Sequence, residues 1–300
     1  MGTASGPLPS TASDSIKGSV GQIRDDRVYR ETRWLSAIII PFLLVAFYIL
    51  FLRPTETKTL FAWEIKPTMT AMMLASAYIG GAYFFARALF AKKWHWIALG
   101  FLPVTAFASA MCVATILHWD RFIHENISFV VWVALYFTTP FLVIATWFRN
   151  RRTDPGTPDA HDILFPQPVR YAVGALGVVT LLISLLLFIS PNLMISVWPW
   201  TLTPLTARVV GGMFALPGVL GLYMAIDGRW SSSRITLESQ IVSIAFILLA
   251  AVLSWSNFNP SSPATWLFVG GMAFLLVALP ILYYTMQMRL KREASTMLAN

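Results

Sequence analysis

Eight stretches of the chain are almost wholly apolar, and each is about as long as a membrane is thick. They cover 34–52, 67–90, 96–116, 127–148, 171–190, 204–226, 235–254 and 265–284. A helix rising 1.5 Å per residue needs about 20 residues to cross about 30 Å of hydrocarbon. The first stretch, "WLSAIIIPFLLVAFYILFL", carries no charge. Lipid offers backbone amides no partners, which leaves helices or closed barrels as spanning structures. The alternation of barrel strands is missing. The pattern predicts an all-α integral membrane protein with eight transmembrane helices.

Composition agrees. The chain is 57% hydrophobic and 12% charged, against about 25% charged in a soluble domain. No water-soluble fold of this length could cover so much apolar surface.

Charge placement adds orientation. Of the 22 Lys and Arg, 17 fall in the amino-terminal tail, the even-to-odd loops and the carboxyl tail. The opposite side holds Arg53, Lys58, Lys66, Arg121 and Arg208. Basic residues stay cytoplasmic, which predicts both termini inside a cell membrane, in the manner of a bacterial-type inner membrane protein. The net charge of +8 then reflects topology and does not point to nucleic acid.

The chain also says similar things twice. "FAWEIKPTMTA" (61–71) and "VWPWTLTPLTA" (197–207) align with Trp63 on Trp200 and Pro67 on Pro204. At nearly the same spacing Trp94 meets Trp230, and "LHWDRF" (117–122) meets "LSWSNF" (253–258). Matches in order at one offset predict an internal duplication. Four spans per unit is an even number, which makes the copies parallel repeats (4+4) about an axis along the membrane normal. The expected layout is a disordered basic tail over 1–33, repeat one over 34–149, a cytoplasmic linker over 150–170, repeat two over 171–288 and a cytoplasmic tail over 289–300.

Candidate chemistry is sparse. Trp63, Trp200, Trp119 and Trp255 suit the outer aromatic belt, or else wall a pocket for an apolar or cationic ligand. Glu64 and Asp120 bring charge to the same loops, while Tyr78, Tyr83, Thr138 and Thr139 are candidates for the polar lining of an inner cavity. His118, Asp120 and His124 are conceivable metal ligands, but their spacing fits no established pattern. Arg234 and Glu238 read as an interfacial pair four residues apart, and His95 reads as an interfacial residue. Paired glycines at 80–81, 211–212 and 270–271 suit close helix packing. No haem ligand pair, phosphate loop, Cys pair or catalytic order is visible, and no cofactor is expected. The reading points away from an enzyme. It favours a transporter or binder of a small apolar or amphipathic molecule, with the lipid bilayer as its surroundings. The alternative is a non-catalytic integral scaffold or accessory subunit with a membrane-protein partner.

Overall fold

The computed structural model describes residue 2 and residues 24–159 and 162–299, of which 297–299 by backbone alone. Most of the tail expected to be disordered, residues 3–23, lies outside the described residues. Among the described residues, eight helices are long and apolar enough to cross a membrane, as expected of a multi-pass membrane protein. They are α1 (Arg30–Phe47, continued by a π-helical turn Tyr48–Leu52), α2 (Thr68–Phe90), α3 (His95–Leu117), α4 (Ile127–Asn150), α5 (Gln167–Ile189), α6 (Pro204–Asp227), α7 (Trp230–Leu253) and α8 (Pro263–Ala299).

Local chemistry sets several ends. Thr203 caps α6, accepting from Thr206 N at 3.2 Å while its own N–H donates to Thr206 Oγ1 at 2.7 Å. Pro204 takes the first helical position, where no amide bond is lost. Pro67, expected in the same place on α2, stands just outside as its cap. Gly228 ends α6 at φ 73°, a left-handed conformation that glycine adopts without strain.

The helices form an inner four and an outer four. α2, α3, α6 and α7 pack centrally, α2 on α7 and α3 on α6, and α1, α4, α5 and α8 lie outside them. The apolar stretch of α2 is 72% buried and that of α8 only 11%, which leaves α8 facing outward along most of its length. α5 lies closest to its neighbour, α6. A methyl group on Gly177 would come 2.8 Å from Leu222 N, and one on Gly221 would come 2.8 Å from Val173 O. Both obstacles are backbone. Gly177→Ala is therefore expected to destabilise the fold by about 1–3 kcal/mol, the usual cost of overpacking, read by reversible unfolding in mixed micelles. Of the paired glycines, Gly80 faces Ser239 and Ser243, Gly211 meets Ser184, and Gly212 meets Met111, whereas a methyl group on Gly270 or Gly271 would meet open space.

At one end of the bundle, here the basic end, residues 24–29, 91–94, 151–159, 162–166 and 228–230 meet. Arg27 bridges Lys93, and Leu164 bridges Arg229. Trp94 N donates to Asp26 O at 2.7 Å, and Trp230 N to Ile163 O at 2.9 Å. At the opposite end Ile123 N donates to Ala62 O at 2.8 Å, and Asn259 N to Pro199 O at 3.1 Å. Within each pair of contacts, matching residues stand 136 or 137 positions apart, as 27 to 164 and 93 to 229 show.

Two expectations about the ends are corrected. Residues 24–33 are ordered: Asp26 and Val28 are buried, and α1 already begins at Arg30. Asn150 and Thr153 hold this segment, through Tyr29 N to Asn150 Oδ1 at 3.0 Å and Asp26 N to Thr153 O at 2.9 Å. The carboxyl segment, expected as a tail from 289, continues α8 to Ala299, because a run of charged side chains does not itself stop a helix.

Candidate functional site

Between the inner helices lies a cavity of about 170 Å³. Met73, Phe84, Phe107, Met213, Leu220 and Ile247 supply apolar walls. These residues sit on α2, α3, α6 and α7. Polar groups are few. Tyr78 and Tyr136 share a hydroxyl hydrogen bond of 2.8 Å at one wall. Ser239 also lines the space, but its hydroxyl donates to Gly80 O at 2.8 Å. Gln240 and Thr139 line it too, with no hydrogen bond from their side chains to any described residue. On the α1 side the lining includes Phe42, 38% exposed on the bundle's outer surface.

Of the residues expected from the sequence to line an inner cavity, Tyr78 and Thr139 do so and Tyr83 and Thr138 do not. Tyr83 lies on the same helix but turns to Glu238, donating to its Oε2 at 2.7 Å. Arg87 pairs with the same carboxylate, and Tyr283 donates to its Oε1 at 2.7 Å. Glu238 thus joins α2, α7 and α8, and the expected pairing with Arg234 is replaced by one to Arg87 across helices.

The tryptophans divide. Trp119 and Trp255 are 45% and 38% exposed, compatible with a belt position. Trp63 and Trp200 are buried in four-ring clusters: Phe61, Trp63, Phe122 and Trp132 in one, Trp198, Trp200, Phe258 and Phe268 in the other. The clusters match ring for ring. Centroid distances are 5.2 and 5.2 Å for Trp63–Phe122 and Trp200–Phe258, and 4.8 and 5.0 Å for Trp63–Trp132 and Trp200–Phe268. Neighbouring rings fill the space a ligand would need. Trp63 and Trp200 are thus 2% and 3% exposed and enclosed by aromatic rings.

The charged loop residues are occupied separately. Glu64 pairs with Lys66 at 2.7 Å, which holds its carboxyl below the ordinary range. Asp120 pairs with Arg121 at 3.2 Å on the surface. His118 Nε2 accepts from Arg208 at 2.8 Å; partial burial and the Arg208 charge lower its pKa. His124 Nε2 lies 3.0 Å from Trp119 O. These groups do not converge on a metal position. Among the described residues the convergent set is Asp26, His95 and Asp159, at the basic end. Sequence reasoning missed it because its members come from three separate segments, and it missed Gln240 because one amide in an apolar helix reads as packing.

Comparison of the chain with protein-family models, curated proteins and solved structures finds no significant match.

Proposed function

We propose that this multi-pass membrane protein holds a small apolar or amphipathic molecule in the cavity between its two four-helix halves, as a binder or carrier. The observation that carries the reading is an apolar cavity with Gln240 in its wall, whose amide has no hydrogen-bond partner among the described residues. An unsatisfied polar group costs several kcal/mol where no water is at hand, and a ligand with one polar group would relieve it. An apolar cavity of about 150 Å³ takes up a benzene-sized molecule. The space here suits a ring or short hydrocarbon segment of that order.

The halves are read as parallel copies of one unit. The support is the recurrence, at spacings of 136 or 137 residues, of the same interloop hydrogen bonds and the same four-ring clusters. A two-fold axis along the membrane normal exchanges α2 with α6 and α3 with α7, which turns the α2–α7 contact into α3–α6; both contacts exist. The basic end is assigned to the cytoplasm of the cell membrane on the excess of Lys and Arg. The copies differ where it matters. Glycines close α5 onto α6, while the cavity reaches Phe42 on α1 and Thr139 on α4. That side offers a lateral way in from the hydrocarbon.

The test is saturable binding of 1-naphthol, a ring system with one hydroxyl, to the full chain in lipid nanodiscs, with empty nanodiscs as background. Ala77→Phe, which fills the cavity, is expected to weaken binding at least about tenfold. Gln240→Leu is expected to weaken it about 2- to 13-fold, the equivalent of one hydrogen bond of about 0.5–1.5 kcal/mol. No saturable binding by the wild type, or equal binding by a folded Ala77→Phe variant, overturns the reading and leaves the scaffold role.

A further inference from the structure

His95, the first residue of α3, has no exposed surface. Asp26 grips it twice. Its Oδ1 accepts the His95 backbone N–H at 3.0 Å, and its Oδ2 accepts the ring Nδ1–H. A carboxylate can only accept, which puts a proton on Nδ1; in the neutral form of the ring Nε2 then carries a lone pair. That nitrogen lies 2.9 Å from Ser231 Oγ and 3.5 Å from Asp159 Oδ2. The single hydroxyl proton of Ser231 is engaged elsewhere, donated to Asp162 Oδ2 at 2.5 Å, while Ser231 N donates to Asp162 Oδ1 at 3.0 Å. With the ring neutral, lone pairs on Nε2, Oγ and Oδ2 face one another. Lys93 pairs with Asp159, and Trp96 Nε1 approaches its Oδ2 at 3.4 Å; neither supplies a proton to Nε2. Such a convergence needs a positive charge at its centre.

We propose that this charge is a first-row divalent cation, zinc or manganese, bound by His95 Nε2 and Asp159, with Ser231 and Asp162 beside it and Asp26 as the outer carboxylate. Two ligand atoms about 2.1 Å from a tetrahedral zinc stand about 3.3–3.5 Å apart, and Nε2 and Oδ2 are 3.5 Å apart. One ligand atom from each of Asp26, His95 and Asp159 falls within 4.8 Å of the others. A carboxylate on the far nitrogen of a ligating histidine fixes the tautomer and orients the ring, and Asp26 is placed to do this. One imidazole with carboxylates suits zinc or manganese in preference to a soft, thiolate-seeking ion. A space of about 310 Å³ adjoins the group, lined by Lys93, Trp96, Asp159, Asp162 and Ser231 among others, and gives the ion a way in from the basic end. The site stands apart from the cavity in the membrane layer and rests on none of its residues.

The test uses the full chain in nanodiscs, stripped with EDTA, desalted and dialysed against Zn²⁺ or Mn²⁺ alone, with bound metal measured by elemental analysis. One saturable equivalent per chain is expected for the wild type. Asp26→Asn is expected to weaken binding about 10- to 100-fold, the usual effect of losing an outer partner, and Asp159→Asn at least about tenfold. Asp159 is partly exposed on the linker, and its variant keeps the test open should changes at His95 or Asp26 prevent folding. A Co²⁺-loaded sample gives a second readout, a visible spectrum of nitrogen and oxygen coordination. A wild type that retains neither ion overturns the site and leaves a protonated His95 between carboxylates. Undiminished binding by Asp159→Asn overturns it equally.

Discussion

Replacing Trp200 with alanine is expected to destabilise the bundle by about 3–5 kcal/mol, the range for a buried aromatic ring. Trp200 is 3% exposed and packs on Trp198, Phe258 and Phe268 at 5.4, 5.2 and 5.0 Å. In a lipid-embedded bundle the loss is chiefly dispersion contact with these rings, and no water fills the gap at low cost. Trp63→Ala should fall in the same range, since Trp63 is 2% exposed among Phe61, Phe122 and Trp132. The two differ in one bond. Trp200 Nε1 donates to Thr70 Oγ1 at 2.9 Å, tying α2 to the second half, while Trp63 Nε1 has no partner among the described residues. Trp200→Ala should therefore exceed Trp63→Ala by about 0.5–1.5 kcal/mol, the net value of such a bond. Trp200→Phe, which keeps much of the ring, should recover most of the loss but not that difference. Reversible unfolding in mixed micelles measures all three. Losses under about 1 kcal/mol at both positions would return the two rings to the lipid interface.

The same two residues show how far the sequence could be read. Eight spans were legible because their lengths and lack of charge are set by the bilayer, which acts on each helix separately. Helix ends were less so. α7 begins at Trp230 although the apolar run starts at 235, and α8 continues past 284, because polar side chains remain helical outside the hydrocarbon. The burial of Trp63 was out of reach. Its neighbours Phe122 and Trp132 come from other segments, and an indole near a helix end reads as a belt residue by default. The alignment of Trp63 on Trp200 did carry information, since both occupy the same place in four-ring clusters of the same geometry. The burial of His95 was out of reach for the same physical reason as that of Trp63. Burial is decided by what covers a residue, and the segment that covers His95 begins at Asp26, in a stretch whose composition reads as disordered. Tyr78 lines the cavity, and its partner Tyr136, 58 positions away, was not visible in the sequence.

A large electrostatic effect is expected at Glu238. Its carboxylate accepts from Tyr83 and Tyr283 at 2.7 Å each and pairs with Arg87, uniting three helices. Breaking a buried pair from one side costs about 3–5 kcal/mol, because the surviving charge is left without a partner. The Arg87 side chain keeps 38% exposure and that of Glu238 15%, which puts Glu238→Leu toward the lower end of that range. Arg87 can then turn outward along its apolar stem, whereas the two tyrosine hydroxyls lose their acceptor in place. Glu238→Gln keeps one oxygen for a tyrosine and should cost less than Glu238→Leu, yet more than a surface change. The paired substitution Arg87→Leu with Glu238→Leu should cost less than the sum of the single ones, and the double-mutant cycle gives the coupling directly. A carboxylate in a spanning helix is a functional candidate by default, and the two roles separate cleanly here. If Glu238 holds the helices together, Glu238→Gln lowers the unfolding midpoint and leaves 1-naphthol affinity within about twofold in the folded fraction. An unshifted midpoint with lost binding would move Glu238 out of the scaffold and into the binding site.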